Sequence, residues 1–258
     1  MANDAIGDRM KAQYEDRTRY FVPRRTYTIL RVDGKAFHSY CRHMERPYDK
    51  RFMVAMDMVT AEMLREIAGA EFAYVQSDEI SILLTDFAKP STQAWFDGNI
   101  QKMASVAAGL ATGYFNALML DETQRVVKGV LNKTIGTFDA RVFTIPDHIE
   151  VENYFIWRQQ DAVRNSIQML AQHYYSPKQL HGKNCSELQD MIHDKGDNWN
   201  DHSARFKRGG LVWYNRDALP YPEWVIGEAP NFTGEVERPQ FRKLIPVHWE
   251  TTEEAAAV

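Results

Sequence analysis

The order of its strand-like and helix-like segments is the feature that most constrains how this chain folds. Period-2 and period-3.6 apolar patterns follow one another as β-α-β-β-α-β, which is typical of a split βαβ unit. Strands are predicted at 25–34, at 70–87 with a turn at 77–79, and at 137–145, and helices at 48–69, 92–119 and 147–175. We therefore predict an α/β (α+β) fold, a ferredoxin-like antiparallel sheet with packed helices.

This topology brings residues that are distant in sequence to one edge of the sheet. In a split βαβ sheet the strand order is 4-1-3-2, so the end of the first strand lies beside the turn between the second and third. Asp33 ends the first strand, and Asp78 and Glu79 belong to that turn. The sequence therefore predicts three carboxylates at one site, which is costly unless a cation neutralises them.

Carboxylate oxygens at such an edge suit Mg²⁺, whose coordination is normally completed by substrate phosphates. Two such ions about 4 Å apart would activate one oxygen and stabilise another, as in polymerase palms. Gly34 lacks a side chain and would let a triphosphate approach the backbone, with the amides through His38 forming an anion-binding nest. The alternative is that Asp33 and Gly34 form a plain turn and 77–79 a plain hairpin tip.

Composition excludes several classes of protein. Hydrophobic residues make up 44% and charged residues 26% of the 258 residues, as in soluble domains, and no stretch approaches the roughly 20 apolar residues of a membrane span. The charged first residues lack the apolar middle of a secretory signal. Two cysteines, Cys41 and Cys185, cannot form a disulfide framework. We expect a cytoplasmic protein with no membrane partner.

The formal charge of −4 gives no global sign of a polyanion-binding protein. Basic clusters at 17–25, 42–51 and 205–208 are either solvated faces or nucleic-acid contacts. The tail is less regular, with a helical pattern at 177–192 and a strand-like core within 205–216. We expect residues 1–145 to form a palm-like catalytic core with an N-terminal arm. Residues 146–258 would be an extension packed on it, within one continuous domain.

Seven short motifs in this order resemble those of the tRNA-His guanylyltransferase superfamily: "GDRMKAQYE", "RVDGKAFH", "ERPYDKRF", "FAYVQSDEIS", "FDARVF", "WRQQDAVRNS" and "KRGGLVWY". They extend from about residue 7 to residue 214. R-x-D-G-x-x-F-H combined with Q-S-D-E is specific at this spacing. The resemblance implies a polymerase-palm-like fold and an enzyme that adds nucleotides to the 5′ end of tRNA in the 3′-to-5′ direction.

The resemblance also implies roles for individual residues. Asp33 and Asp78 correspond to aspartates that bind two Mg²⁺ ions, Gly34 to a glycine whose carbonyl binds a metal, and Glu79 to the acid that completes the catalytic cluster. The implied nucleotide-binding residues are Asp33, Gly34, Lys35, Ala36, Phe37, His38, Ser77, Asp78 and Lys102. The candidates for tRNA contact are Arg24, Arg25, Arg46, Arg158, Asp161, Asn165, Lys207 and Arg208.

The third helix departs from the eukaryotic pattern D-C-H-I-N-N. Its "DAVRNS" keeps Asp161 and Asn165 but has Val163 in place of the histidine and Ser166 in place of the second asparagine. The histidine segment is associated with untemplated guanylate addition to tRNA-His. Its absence resembles the bacterial and archaeal Thg-like branch, which is implied to repair truncated tRNA 5′ ends. Arg158, Asp161 and Asn165 share one helix face, as a solvated stripe or as substrate contacts.

We therefore expect a Mg²⁺-dependent nucleotidyltransferase that uses ATP, GTP and other NTPs and performs template-dependent tRNA 5′-end repair. The expected partner is tRNA, and the expected assembly is a homo-oligomer, a tetramer or a dimer. Guanylate addition to tRNA-His is an alternative. An alternative of another class is a catalytically inactive RNA-binding protein, against which the retained Asp33, Asp78 and Glu79 argue.

Overall fold

A six-stranded antiparallel sheet organises the computed structural model, which describes residues 4–119, 135–215 and 223–247. The strand order is β4-β1-β3-β2-β5-β6. The strands are β1 Tyr27–Gly34, β2 Ala70–Gln76, β3 Glu79–Leu84, β4 Phe138–Ile145, β5 Gly210–Asn215 and β6 Glu223–Glu228. The predicted α+β fold is confirmed, and its first four strands have the predicted order 4-1-3-2.

Helices cover both faces of this sheet. They are α1 Ala5–Met10, α2 Phe37–Tyr40, α3 Lys50–Glu66, α4 Ile100–Met119, α5 His148–Tyr174, α6 Pro177–Leu180, α7 Cys185–His193, α8 Ala204–Arg208 and α9 Glu237–Arg242. Aspartates cap the N-termini of α3 and α5. The Asp49 carboxylate accepts the amide of Phe52 at the start of α3, and the Asp147 carboxylate accepts the first amides of α5. Within the described ranges, no helix is both long enough and apolar enough to cross a membrane.

The period-2 alternation of β1 and β3 gives the sheet two apolar faces. Leu30 and Ile82 point to one face and pack in a core with residues of α3 and α4, such as Met56. Ile29 points to the other face and packs in a second core with Phe155 of α5. The end of β1 and the β2–β3 turn are therefore held between helices on both sides.

The second predicted helix begins later than its pattern suggested. The residues Phe96, Asp97 and Gly98 have φ values of 49°, 54° and 76°, so the chain turns through left-handed conformations before α4 starts. Of the small residues in the middle of α4, Ala107 and Ala111 are buried in the core. Gly109 and Gly113 face open space, and Ala108 is only partly buried, because these three residues lie on other sides of the helix.

The C-terminal part of the chain extends the sheet and supports α5. β5 pairs with β2, and β6 pairs with β5. The helical pattern at 177–192 forms two helices, α6 and α7, and the strand-like core within 205–216 forms β5, as predicted. The second half of α5 shares a third core with α7 and α8, built around Ile167, Leu188, Ile192 and Phe206. This packing fixes the helix that reaches the predicted site.

The third core predicts unequal costs for the same substitution at two positions of α5. Ile167 is 2% exposed, whereas Ile149 is 56% exposed. We expect Ile167→Ala to lower the free energy of unfolding by about 2–5 kcal/mol, since it leaves a cavity, and Ile149→Ala to change it by less than about 0.5 kcal/mol. Urea denaturation followed by circular dichroism measures both. Equal effects would contradict the packing of α5 described above.

Candidate active site

Three acidic residues form a row across one edge of the sheet. Asp33 near the end of β1 lies directly opposite Glu79 of β3 and directly opposite Asp139 of β4. The predicted convergence of β1 with the β2–β3 turn is therefore present, and Asp139 is an addition to it. Like charges directly opposite one another destabilise a sheet. The row requires positive charge close by.

Arginines supply that charge to Glu79. Its carboxylate is buried and accepts two hydrogen bonds from Arg158 of α5, from Nε at 2.7 Å and from Nη2 at 2.8 Å. Arg31 Nη2 lies 2.7 Å from the second carboxylate oxygen and 3.4 Å from Asp33 Oδ2. Both oxygens of Glu79 are thus engaged by guanidinium groups. This geometry makes Glu79 a link between α5 and the sheet.

Asp78 and Gly34 meet at the tip of the β2–β3 turn. The Gly34 amide donates to the Asp78 carbonyl at 3.1 Å. A Cβ atom on residue 34 would lie 2.7 Å from Asp78 Oδ2 and 2.5 Å from Phe37 Cδ2, so only glycine fits. Burial raises the pKa of Asp78 to about 6, and the charges of Asp33 and Glu79 add to this rise. A cation bound here would offset both effects.

The segment after Gly34 presents backbone amides next to this carboxylate. Ala36 has φ 57° and precedes α2, whose first amides have no acceptor one turn back in the helix. The Lys35 amide already donates to the Thr137 carbonyl at 2.8 Å. The Phe37 ring is buried against other rings, including Phe138 at 4.9 Å. The Phe37 ring therefore fixes the segment in the core, and the amides of Phe37 and His38 are the first two amides of α2.

A cavity of about 440 Å³ opens beside the turn. This volume lies within the roughly 300–1,000 Å³ of small-molecule sites. His38, Ser77 and Asp78 form one wall. Arg46 and Asn165, both predicted to contact tRNA, also line the cavity, as do Arg205 and Phe206 of α8 and Ser166 of α5. Lys207 and Arg208 of α8 were predicted to contact tRNA, but Arg205 and Phe206 of the same helix were not predicted as site residues, because α8 reaches the cavity through its packing in the third core.

Other predicted residues lie elsewhere. Lys102 is in the first turn of α4, with its ammonium 4.6 Å above the Phe96 ring. The Phe115 ring of the same helix contacts the Phe37 ring, and it lies thirteen residues or about 20 Å farther along the helix. Arg24 Nε lies 2.5 Å from Asp86, which also accepts the Arg25 amide. The structure does not bring these three residues to the cavity, and their substrate contacts stay predictions.

The remaining tRNA candidates make internal contacts. Arg158 is buried on Glu79, and Asp161 pairs with Arg158 and Arg164. Lys207 donates to the Asn200 carbonyl and lies over the Trp199 ring. Arg208 Nε is buried without a hydrogen-bond partner in the described part of the chain. The side chains of Arg158, Asp161 and Lys207 are thus engaged within the protein, and the contact of all four residues with tRNA stays a prediction.

The donors available to a metal ion are hard oxygens. In the described ranges, no group of three or more His, Cys, Asp or Glu side chains is arranged to hold a metal. Asp33, Asp78 and the Gly34 carbonyl suit Mg²⁺, which takes few protein ligands and keeps waters or phosphate oxygens. Glu79 does not fit this set, because its oxygens accept from Arg31 and Arg158.

Comparison with known proteins identifies the family. The profile of the tRNAHis guanylyltransferase family matches residues 7–146. The chain belongs to this family. A solved bacterial tRNA(His) guanylyltransferase-like protein in complex with ATP is 38% identical, with a TM-score of 0.83 over 94% of this chain and 100% of that one. A bacterial guanylyltransferase-like structure in complex with GTP is 35% identical, with a TM-score of 0.75 over 95% and 100%.

A curated relative supports the same assignment. The tRNA(His) guanylyltransferase of Debaryomyces hansenii is 26% identical over 213 residues, which cover 76% of each chain. The predicted resemblance to the guanylyltransferase superfamily is confirmed, and the two solved structures described above are bacterial tRNA(His) guanylyltransferase-like proteins. The chain is therefore an enzyme of a nucleotidyltransferase family.

The ion pair of Glu79 predicts a large structural role for Arg158. Arg158 is 4% exposed, whereas the Arg164 side chain on the same helix is 59% exposed. Removing one partner of a buried pair leaves an uncompensated charge and costs about 3–5 kcal/mol. We expect Arg158→Met to lower the free energy of unfolding by about that amount and Arg164→Met by less than about 0.5 kcal/mol. Guanidinium denaturation tests this, and two equal values would refute it.

Proposed function

We propose that this protein adds nucleotides, directed by a template, to the 5′ end of truncated tRNA in the 3′-to-5′ direction. The observation that carries the proposal is the meeting of Asp33, Gly34 and Asp78 beside a 440 Å³ cavity. Family membership and the ATP and GTP complexes of bacterial neighbours support it. The cavity would take the nucleotide, with its triphosphate toward Asp78 and the amides of α2.

Asp33, Asp78 and the Gly34 carbonyl would hold two divalent cations. Bound there, the ions would lower the pKa of an attacking hydroxyl and stabilise charge on the phosphates. The protein's own groups orient the substrate. The Ser77 hydroxyl and the amides of Phe37 and His38 would donate to phosphate oxygens, and Lys35 adds a positive charge at the same turn. The buried Phe37 ring keeps those amides in place.

The chemistry then has two steps. Where the tRNA ends in a 5′-monophosphate, a phosphate oxygen attacks the α-phosphorus of ATP or GTP, and pyrophosphate leaves. The 3′-hydroxyl of the incoming nucleotide next attacks the activated 5′ phosphorus, and the nucleoside monophosphate leaves. One bond forms and one breaks at phosphorus in each step. Both steps require the same set of oxygen and amide donors, which is why one site would serve both.

Position 163 favours repair over guanylate addition to tRNA-His. Val163 is partly buried and packs against the third core with Ile167 and Trp199, so α5 offers an apolar contact where the eukaryotic pattern has histidine. The names of curated relatives favour guanylate addition as the second candidate. The two functions differ in whether the added base depends on the base opposite it.

The exposed apolar residues of the N-terminal arm support a homo-oligomer. No residue of α1 is buried, and Ile6, Met10 and Tyr14 recur at helical spacing with 47–69% exposure. Apolar surface of this kind marks protein contacts. We propose that the arm joins copies of this chain into a dimer or tetramer in the cytoplasm.

We also propose one continuous domain, since β5 and β6 complete the sheet of the core.

A labelled-nucleotide assay tests the proposed function. We expect incorporation into tRNA that lacks its first nucleotide, with the nucleotide complementary to the opposing base, and no incorporation after chelation of divalent cations. Asp78→Asn should reduce the rate by at least about a thousandfold, the order of loss expected when a group that stabilises transition-state charge is removed. Asp97→Asn, at an exposed carboxylate near the far end of the sheet, is the control. Guanylate addition regardless of the opposing base would favour the second candidate.

Gly34 offers an independent test of the nucleotide site. A methyl group at this position would collide with Asp78 Oδ2 and the Phe37 ring. We expect Gly34→Ala to weaken ATP binding by at least about tenfold, or about 1.4 kcal/mol, in isothermal titration calorimetry. Gly113→Ala is the matched control, because it enters open space on α4 and should leave ATP binding unchanged. Wild-type affinity in Gly34→Ala would contradict the placement of the triphosphate.

A further inference from the structure

Two cross-strand pairs of like charge lie side by side between β1 and β4. Asp33 lies directly opposite Asp139, and Arg31 lies directly opposite Arg141. All four side chains point to the face of the sheet that α5 partly covers, because they alternate with Val32 and Ala140. Like charges directly opposite one another are unfavourable. A cation bound at Asp33 would offset the repulsion between the two aspartates. It would not offset the repulsion between the two arginines.

Arg141 is the weakly held member of this group. Its Nη2 lies 3.8 Å from Asp33 and 3.9 Å from Asp139, and its side chain is 58% exposed. Arg31 is 17% exposed and lies 2.7 Å from Glu79. An anion bound at Arg141 would reduce its repulsion from Arg31 and would lie next to Asp33. A phosphate is the anion that the proposed reaction brings to this carboxylate.

A large aromatic ring overlooks the same face. Trp157 of α5 is 52% exposed, although the Arg158 guanidinium lies 4.4 Å from its ring. Tyr154 contacts Trp157 at 5.9 Å and Phe143 of β4 at 5.6 Å, so the indole lies on the β4 side of α5. Arg158 in turn binds Glu79, the residue opposite Asp33. The Arg158 guanidinium lies over one face of the Trp157 indole, and much of the remaining ring surface is exposed to solvent.

We infer that Trp157 and Arg141 hold the 5′-terminal nucleotide of the RNA, Trp157 by stacking on its base and Arg141 by binding its 5′ phosphate. This inference rests on the proposed function and adds the position of the second substrate. The nucleotide cavity is lined by Gln76 of β2 and Gly209 beside β5, on the other side of Asp33 from β4. The RNA end and the triphosphate therefore approach Asp33 from opposite sides.

The chemistry of both groups suits a nucleic-acid end. Base stacking on an aromatic side chain contributes about 1–3 kcal/mol and tolerates any base, as repair of ends of different sequence requires. A guanidinium binds phosphate oxygens through two parallel hydrogen bonds, which gives direction as well as charge. The surrounding exposed side chains, Asp139 and Arg164, are charged, whereas the buried centre of a protein interface is depleted in charge.

Equilibrium binding to RNA duplexes of defined 5′ ends tests this inference. Wild-type protein should bind a 5′-monophosphate duplex more tightly than its 5′-hydroxyl counterpart. Trp157→Ala should weaken binding to both duplexes about tenfold, with Trp157→Phe intermediate. Arg141→Ala should abolish the preference for the 5′-monophosphate, with Arg141→Lys retaining part of it. In each of these four variants, the affinity for ATP should stay within about twofold of the wild-type value. The exposed Tyr214→Ala and Arg65→Ala are controls, and thermal melting shows that each variant is folded.

These measurements distinguish failure of the proposed function from failure of the inference about Trp157 and Arg141. If the wild-type protein adds no nucleotide to any RNA, the proposed function fails. If it adds nucleotides but Trp157→Ala and Arg141→Ala bind both duplexes as wild type does, this inference is overturned. A changed sedimentation coefficient in Trp157→Ala, with unchanged RNA affinity, would assign the ring to a contact between protein chains and would equally overturn it.

Discussion

The buried carboxylate of Glu79 is the group on which the geometry of the site depends. It lies between Arg31 of the central strand and Arg158 of the long helix, with hydrogen bonds of 2.7 and 2.8 Å from Arg158. A charge in this position is tolerable only when it is fully paired. The pairing fixes α5 against the sheet at the level of Asp33. It thereby places Asn165 and Ser166 of α5 on the cavity wall and Trp157 over β4.

With Glu79 committed to arginines, the remaining carboxylates have separate tasks. Asp33 and Asp78 lie on either side of Gly34, where the absence of a side chain leaves room for the Asp78 carboxylate. The cavity that we propose for the nucleotide begins at Asp78 and extends toward α8. The pair Asp33–Asp139 extends toward the open edge of the sheet. Asp33 near the end of β1 thus lies between two surfaces, and a nucleotidyl group transferred from the proposed nucleotide site to the proposed RNA site would pass this carboxylate.

Much of this arrangement could be predicted from the sequence, because local patterns carry it. Alternation in β1 and β3, the caps Asp49 and Asp147, and the fixed strand order of a split βαβ unit together predict that Asp33 meets the turn at 77–79. The pairing of Glu79 with Arg158 depends on where α5 docks, and this partner lies 79 residues farther along the chain, so no local pattern encodes the pairing. Arg158 therefore resembled a tRNA contact in the sequence, whereas the structure shows the buried partner of Glu79 at this position.

The positions of Asp139 and Arg141 could also have been predicted from the sequence. In "FDARVF", Asp139 and Arg141 are two residues apart and share one strand face. Antiparallel pairing with β1 places that face beside Asp33 and Arg31. The late start of α4 was signalled only weakly, by Gly98, because Phe96 adopts a left-handed conformation that bulky residues seldom take. The distance of Lys102 from the cavity follows from the course of α4, which runs about 20 Å before its Phe115 meets Phe37.

We propose that Asp33 and Asp78 form one cation-dependent nucleotide site. The number of Mn²⁺ ions bound per chain is the most direct test of this proposal. Electron paramagnetic resonance measures free Mn²⁺ during titration of the protein in the presence of a non-hydrolysable ATP analogue. We expect two bound ions per wild-type chain and the loss of both in Asp33→Asn. Equal Mn²⁺ binding by the wild-type protein and by Asp33→Asn would contradict it.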